Sequence, residues 1–171
     1  MQIKLVATDV DGVWTDGGLY YDKDGNELKK FNVKDGAGVK LLKTAGIPVC
    51  VITAKNSPMV EKRAKELRVD YLYQGVEDKI RAISALVKML NLSFEEIAYI
   101  GDDFNDVPLL RKAGCSATPA DASQIIQQEA DWVLTKKGGE GVFREFVEKL
   151  LIEMGVYNTV YEEMIKCHDE N

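Results

Sequence analysis

Short apolar runs alternate along the chain with stretches in which apolar residues recur every three or four positions. The runs are rich in Val, Ile, Tyr and Thr, which favour strands, and the wider spacing is typical of a helix with one buried face. Strands that alternate with helices predict an α/β fold, a doubly wound parallel sheet with helices on both faces. The predicted strands cover residues 3–8, 48–52, 70–73, 97–100, 115–118 and 131–134.

The sequence from 18 to 32 departs from this alternation. It contains two short strand patterns around a turn, and Asp24-Gly25 is typical of a tight β-hairpin. We therefore expect a hairpin that projects close to the end of the first strand. It is either an insertion without a role, or a flap that covers a site or docks on a neighbouring subunit.

Residues 141–171 have a helical pattern with two apolar stripes separated at Gly155. The first stripe is expected in the core. The second lies beyond the last predicted strand and could serve an interface. It consists of Tyr157, Val160, Tyr161, Met164 and Ile165.

Composition and charge narrow the function classes. The 171 residues fit a single domain spanning 1–171, with 46% apolar and 29% charged residues, as is usual for a soluble globular protein. The net charge of −6 argues against nucleic-acid binding, which needs a basic surface. A few local lysines and arginines would still suffice for a small anionic substrate.

The cysteines and the N-terminus indicate the compartment. Cys50, Cys115 and Cys167 are far apart, odd in number and accompanied by the single His168, so neither a zinc site nor a disulfide framework is expected. The first apolar stretch is too short for a signal peptide, and no run approaches the roughly 18 apolar residues of a membrane span. We expect a cytoplasmic protein without a membrane partner.

Polar side chains follow four of the predicted strands. Because ligands bind at the carboxyl ends of the strands in parallel α/β sheets, these side chains are expected to converge at one edge. They provide four carboxylates, a hydroxyl and an ammonium group. They are Asp9 and Asp11 after the first strand, Thr53 after the second, Lys79 shortly after the third, and Asp102 and Asp103 after the fourth.

This combination suits phosphoryl transfer. One carboxylate can attack phosphorus once Mg²⁺ has offset its repulsion with the phosphate. A second carboxyl can protonate the leaving oxygen and later activate water. Lys79 offers a positive charge to the phosphate, and Thr53, if it lies at a helix N-terminus, offers a hydroxyl beside free N–H groups.

Simpler interpretations account for single motifs. A calcium loop starting at Asp9 or Asp22 is excluded, because neither has glycine at its sixth position and glutamate at its twelfth. The GDD sequence could merely cap the following helix. Asn105 and Asp106 fit a capping or indirect role as well as a direct contact.

The motifs DVDGVWTDG, ITAKNS, QGVEDK and GDDFND resemble the four motifs of the haloacid dehalogenase-like phosphatases. Four further segments are similar to the branch that hydrolyses 3-deoxy-D-manno-octulosonate 8-phosphate, in lipopolysaccharide precursor synthesis. They are FNVKDGAGVKLL (31–42), SPMVEKRAKEL (57–67), YLYQGVEDK (71–79) and GGEGVFRE (138–145). The resemblance implies a Rossmann-like fold without a large cap domain and a homotetramer, in which the hairpin of one subunit helps to close the site of the next and the tail can cover it.

The resemblance also implies roles for individual residues. Asp9 would be the nucleophile and Asp11 the general acid and base. Mg²⁺ would be held by the Asp9 and Asp102 carboxylates and the Asp11 backbone carbonyl, with Asp103 nearby. Thr53 and Lys79 would hold the phosphoryl group as catalytic residues. The positions that match substrate contacts are Asp11, Asn32, Val33, Lys34, Asp35, Gly36, Lys40, Lys55, Arg63 and Lys79.

The chain departs from that branch at three places. Thr53 is followed by Ala54 and Lys55 where the branch has Gly-Arg, and Lys40 and Glu140 stand where it has arginine. Lysine meets a carboxylate as a point charge rather than a planar fork, and glutamate reverses the charge. Recognition of a sugar acid is therefore expected to differ.

Three alternatives to octulosonate 8-phosphate hydrolysis stay open. The substrate could be another sugar acid phosphate, such as a nine-carbon one. The chain could be a phospho-receiver domain, although its first acidic pair is split by Val10 rather than adjacent. It could also be a non-catalytic regulatory domain, although Asp9 and Asp11 are both present.

Overall fold

The computed structural model describes residues 1–169, with side chains described as far as Lys166. Cys167 and His168 therefore lie outside the described side chains. The strands are β1 (Leu5–Thr8), β2 (Tyr20–Tyr21), β3 (Glu27–Leu28), β4 (Val49–Ile52), β5 (Tyr71–Tyr73), β6 (Ile97–Ile100), β7 (Cys115–Thr118) and β8 (Trp132–Val133). The helices are α1 (Val33–Thr44), α2 (Pro58–Leu67), α3 (Lys79–Met89), α4 (Val107–Lys112), α5 (Gln124–Gln127), α6 (Val142–Glu153) and α7 (Tyr157–Asp169).

Six of the strands form one parallel sheet in the order β5-β4-β1-β6-β7-β8. The chain builds outward from β1 through β4 to β5, and then returns to the other side of β1 to continue through β6, β7 and β8. The order therefore reverses between β1 and β6. In doubly wound sheets the ligand crevice lies at the carboxyl ends of the strands at this reversal.

Alternate residues of the central strands face two separate cores. In β1, Leu5 and Ala7 pack in one core while Val6 packs in the other, as expected for a strand buried on both faces. One core includes residues of α1, α2, α6 and α7, and the other includes residues of α3, α4 and α5. The prediction of a doubly wound parallel α/β fold is thus confirmed.

The helices nearest the sheet edge begin at capping side chains. Asn32 caps α1 by accepting from the Lys34 backbone N–H at 3.0 Å, and Ser57 caps α2. Asp78 caps α3 by accepting from the Arg81 backbone N–H at 3.0 Å. This last cap fixes Lys79 as the first residue of α3, close to the carboxyl end of the sheet.

The hairpin predicted within residues 18–32 is present as the antiparallel pair β2 and β3. Its turn closes with a hydrogen bond from the Asp22 backbone N–H to the Asn26 carbonyl at 3.0 Å, and Gly25 has a φ of +83°. An antiparallel bridge between Thr15 and Phe31 joins the base of the hairpin to the loop after β1. The described residues contain no large cap domain.

The second apolar stripe of the carboxy-terminal segment is buried in part and exposed in part. Val160 is buried in the core shared with α1 and α6, and Tyr157 and Met164 are partly buried against it. Val160 is therefore not available to an interface, because α7 packs against α1 and α6, and an interface through the rest of the stripe stays a prediction. Tyr161 and Ile165 remain exposed.

Two smaller differences from the predicted elements concern the outer strands and the short helices. The outer strands are shorter than predicted, and the short helices α4 and α5 have no counterpart in the apolar pattern. Within the described part of the chain, no helix combines the length and the apolar character needed to cross a membrane.

Candidate active site

A cavity of about 210 Å³ opens at the carboxyl ends of β1, β4 and β6, where the strand order reverses. Six of the residues that line this cavity were predicted from the sequence, and they are Asp9, Asp11, Thr53, Lys55, Asp102 and Asp103. Its lining consists of Asp9, Asp11, Thr53, Ala54, Lys55, Asp102, Asp103 and Asn105. A larger cavity of about 620 Å³ lies at the other end of the sheet, among residues that include Ile3, Ile47 and Val160. That cavity lacks this convergence of carboxylates, so the smaller one is the candidate site.

Asp9 lies at the centre of the site. Its backbone N–H donates to the Ile100 carbonyl at 3.0 Å, which continues the pairing of β1 with β6 by one residue. Lys79 Nζ lies 2.8 Å from Asp9 Oδ1. Burial, with repulsion from Asp106, raises the pKa of the Asp9 carboxyl to about 7 and outweighs the attraction of Lys79.

Asp106 is the buried anchor of this cluster. Its carboxylate lies 2.6 Å from Lys79 Nζ and accepts a hydrogen bond from the Tyr99 hydroxyl. It also accepts from the backbone N–H groups of Asp102 at 2.9 Å and Asp103 at 3.1 Å. Burial lowers the pKa of Lys79, but Asp9 and Asp106 more than offset this and raise it. Asp106 therefore fixes both the ammonium and the loop that carries Asp102.

The carboxylates fit a divalent cation. Oxygens of Asp9, Asp102 and Asp106 all lie within 4.8 Å of one another. Asp102 Oδ1 is buried without a hydrogen-bond partner among the described residues, and burial with repulsion from Asp9 raises the pKa of Asp102 to about 8. Gly12, with a φ of +86°, leaves room beside Asp102, because a Cβ there would overlap Asp102 Oδ2. Oxygen ligands in this arrangement are typical of magnesium sites.

Asp103 is placed differently from its neighbour. Its carboxylate accepts from the Phe104 backbone N–H at 2.7 Å and caps the 3-10 turn Phe104–Asp106. Asp106, not Asp103, completes the close group of three carboxylates. The GDDFND motif already contained Asp106, but its spacing could not distinguish an anchor from a cap.

Asp11 lines the cavity two residues after Asp9. Its Oδ1 lies 2.6 Å from Lys29 Nζ and 3.3 Å from the Thr15 hydroxyl, which donates to it. Sequence reasoning missed Lys29, since one lysine in a hairpin has no signal that separates it from a surface lysine. Only the folding of the hairpin onto the loop after β1 brings the two residues together.

Thr53 and Lys55 lie at the end of β4. The Thr53 backbone N–H donates to the Tyr73 carbonyl at 2.9 Å, and the Lys55 backbone N–H donates to the Thr53 hydroxyl at 3.4 Å. The expectation that Thr53 stands at a helix N-terminus is wrong, because α2 begins only at Pro58. The buried Thr53 therefore presents its hydroxyl from the strand end, and the exposed Lys55 lies at the cavity wall.

A second group of predicted residues surrounds the start of α1. Asn32 Nδ2 donates to the Gly139 carbonyl at 3.1 Å, which ties α1 to the loop 138–141. A Cβ on Gly36 would lie 3.3 Å from Arg63 Nη2, so the helix passes close to that guanidinium group. Lys34 is exposed beside Gly141.

Asp35 has a structural role that the sequence did not indicate. Its Oδ1 accepts from the Arg144 backbone N–H at 3.1 Å, so it satisfies part of the N-terminus of α6. Its Oδ2 is buried without a partner among the described residues, and burial raises the pKa of Asp35 to about 6. Val33 and Lys40 are exposed and do not line the cavity.

The loop 138–141 packs directly against the loop after β1. The Gly139 backbone N–H donates to the Val13 carbonyl at 2.9 Å, and a Cβ on Gly138 would overlap the Gly12 carbonyl oxygen. The segment from Asp9 to Thr15 is thus held between the sheet, the hairpin base and this loop.

Comparison with known proteins agrees with this geometry. Residues 72–146 match the family model of haloacid dehalogenase-like hydrolases. The chain is 41% identical over 153 residues to the 3-deoxy-D-manno-octulosonate 8-phosphate phosphatase of Escherichia coli (strain K12), which covers 90% of this chain and 81% of that protein. The chain belongs to the haloacid dehalogenase-like hydrolases. The resemblance noted from the motifs is confirmed.

Solved structures of this family share the fold. The 3-deoxy-D-manno-octulosonate 8-phosphate phosphatase from Moraxella catarrhalis, in complex with magnesium ion, phosphate ion and KDO molecule, matches with a TM-score of 0.90 and 38% identity over 95% of this chain and 93% of that chain. The cobalt-bound deoxy-D-mannose-octulosonate 8-phosphate phosphatase from Haemophilus influenzae matches with a TM-score of 0.86 and 40% identity over 91% of each chain. The prediction of an enzyme, a phosphomonoester hydrolase, is confirmed, and the phospho-receiver interpretation has no support.

Proposed function

We propose that this hydrolase converts 3-deoxy-D-manno-octulosonate 8-phosphate to the free sugar acid and phosphate, through an aspartyl phosphate on Asp9. The observation that carries the proposal is the pair of carboxylates, Asp9 and Asp11, that line one cavity with Lys79 Nζ 2.8 Å from Asp9 Oδ1. The names of the similar phosphatases support the substrate. The reaction belongs to lipopolysaccharide biosynthesis.

The metal is Mg²⁺, which the family and the carboxylate cluster support. Asp9 and Asp102 would hold it with the backbone carbonyl of Asp11, with Asp103 nearby. When bound, the cation supplies positive charge that offsets the repulsion between the carboxylates and the phosphate dianion. Asp102 Oδ1, which is buried without a hydrogen-bond partner among the described residues, would gain a partner in the cation.

The chain's own residues perform the bond changes. An Asp9 oxygen attacks phosphorus, and Asp11 gives its proton to the leaving sugar oxygen. Asp11 then takes a proton from water, which attacks the phosphoaspartate and releases phosphate. Thr53 and Lys79 hold the phosphoryl group during both steps.

The sugar acid would be recognised at the mouth of the cavity and the start of α1. Lys55 lies at the cavity wall, and Arg63 is held close to Gly36. The remaining proposed contacts lie outside the cavity lining, and they are Asn32, Val33, Lys34, Asp35, Gly36 and Lys40.

A second candidate is hydrolysis of another sugar acid phosphate. It is favoured by Lys55, which lines the cavity with a point charge, and by Glu140, which places an acid in the loop 138–141. Both candidates use the same chemistry and differ only in the group that meets these side chains.

We propose a cytoplasmic homotetramer as the working form, with residues 1–171 as one catalytic unit. The hairpin exposes Leu19, Tyr21 and Leu28 at 60%, 61% and 56%, and this apolar surface suits contact with a neighbouring subunit.

The experiment is phosphate release from 3-deoxy-D-manno-octulosonate 8-phosphate and from a panel of other sugar phosphates, with Mg²⁺ and with EDTA. Turnover that prefers the octulosonate ester and needs the metal supports the proposal. Preference for a different acid phosphate supports the second candidate, and an absence of turnover on every ester overturns both.

A further inference from the structure

Lys29 has a buried side chain in a hairpin that is otherwise largely exposed. It directly follows β3, and Leu28 of β3 and Tyr21 of β2 are largely exposed. The Lys29 side chain, in contrast, is only 4% exposed. Burying an ammonium group is costly unless it is paired. Its partners are therefore the reason for its position, and they are Asp11 at 2.6 Å and Glu27 at 3.5 Å.

The two carboxylate oxygens of Asp11 differ in their hydrogen-bond partners. Lys29 and Thr15 both contact Oδ1, so Oδ2 is left for proton transfer. Asp11 lines the cavity, whereas Lys29 does not, so the lysine binds the carboxylate from outside the reaction space. A carboxylate held through one oxygen has a fixed orientation, and general acid catalysis depends on that orientation.

We infer that Lys29 is a positioning residue for proton transfer by Asp11. It holds Oδ1 so that Oδ2 faces the leaving oxygen of the substrate. This inference rests on the proposed function, in which the Asp9–phosphorus bond forms, the phosphorus–oxygen bond to the sugar breaks, and the sugar oxygen takes the proton from Asp11. The hairpin thereby contributes a side chain to catalysis as well as a surface.

The leaving group provides the test. A sugar alkoxide needs a proton to depart, whereas a nitrophenolate departs without one. We compare kcat/KM, which reports the steps up to the first irreversible one, for the best sugar phosphate of the panel and for p-nitrophenyl phosphate. The variants are Lys29→Met and Lys29→Arg, with Lys30→Met as the matched control, because Lys30 is the neighbouring lysine and is 64% exposed.

The expected result is selective. Lys29→Met lowers kcat/KM on the sugar phosphate by about 10- to 100-fold, a fraction of what a general acid contributes, and lowers it on the aryl phosphate by less than about threefold. Lys29→Arg retains most of the sugar phosphate activity, and Lys30→Met retains activity on both substrates. An equal loss on both substrates, or no loss on either, overturns the inference.

A double-mutant cycle separates positioning from direct sugar binding. In an Asp11→Asn background, Lys29→Met is expected to cost nothing further on the sugar phosphate, because its effect passes through Asp11. Additive losses would mean that Lys29 acts independently of Asp11 and would overturn the inference. If Lys29→Met does not fold, Lys29→Gln is measured in the same cycle.

The same data distinguish the role of Lys29 from the role of Asp11. Asp11→Asn alone must show the selective loss on the sugar phosphate if Asp11 is the general acid. Without that signature the proposed role of Asp11 fails. With that signature and an unselective Lys29→Met, only the role of Lys29 fails.

Discussion

Replacing Asp35 by asparagine should stabilise the fold at neutral pH. Asp35 is 1% exposed, its Oδ1 accepts from the Arg144 backbone N–H at 3.1 Å, and its Oδ2 has no partner among the described residues. Burial raises the pKa of this carboxyl from 3.8 to about 6, although the backbone N–H groups at the start of α6 lower it in part. An asparagine keeps the acceptor for Arg144 and carries no charge.

The sign and size of the change in the free energy of unfolding follow from proton linkage. Between pH 3.8 and about 6 the unfolded chain loses the Asp35 proton while the folded chain keeps it, so the free energy of unfolding falls as pH rises. The loss begins above the unfolded pKa and is complete above the folded one. A shift of about two pKa units corresponds to about 3 kcal/mol, of which about 2 kcal/mol develops between about pH 4.5 and about pH 7.5.

The assay is urea unfolding at a series of pH values in EDTA, followed by the fluorescence of Trp14 and Trp132. The free energy of unfolding of Asp35→Asn, relative to the wild type, should rise by about 2 kcal/mol across that range. Asp24→Asn is the control, because Asp24 is an exposed aspartate of the hairpin turn. A difference that stays constant with pH, or that falls towards neutral pH, would refute the reasoning.

Three further perturbations test other parts of the structure. Lys79→Met leaves Asp9 and Asp106 buried without their cation, so urea titration should show a loss of about 3–5 kcal/mol, and wild-type stability would contradict the buried pairing. In thermal melts, Mg²⁺ at about 100 times its dissociation constant should raise the free energy of unfolding by about 2.7 kcal/mol. Asp102→Asn should lose most of this gain. A wild-type melt that Mg²⁺ leaves unchanged would exclude a metal site in the folded chain. Leu28→Ser should lower the molar mass found by light scattering, while a monomeric wild type would contradict the tetramer.

The sequence predicted the parts of the site that depend on strand ends. Asp9 directly follows β1 and Asp102 lies two residues after β6, and parallel pairing of these buried strands brings their carboxyl ends together. The hairpin was likewise predictable from Asp24-Gly25, because its turn geometry is encoded locally. Both kinds of information lie within a few residues of the feature they specify.

The parts that were missed depend on contacts between distant segments. Lys29 meets Asp11 only when the hairpin folds back, and Asp35 meets Arg144 only when α1 packs against α6. The GDDFND motif contains Asp106, but its role as an anchor depends on four hydrogen-bond donors, which come from α3, β6 and the loop after β6. No local spacing carries that information, because it arises from tertiary packing.

The most direct test of the account is chemical trapping of the intermediate on Asp9. Borohydride reduces an acyl phosphate to an alcohol, so quenching during turnover should convert Asp9 to homoserine, which peptide mass spectrometry locates. We would use Asp11→Asn with p-nitrophenyl phosphate and Mg²⁺, since this variant should form the intermediate without a proton donor and hydrolyse it slowly. If Asp9 is the nucleophile, residue 9 is modified, and the modification requires both substrate and metal. Modification at Asp102, or turnover without modification of any aspartate, would contradict this role of Asp9.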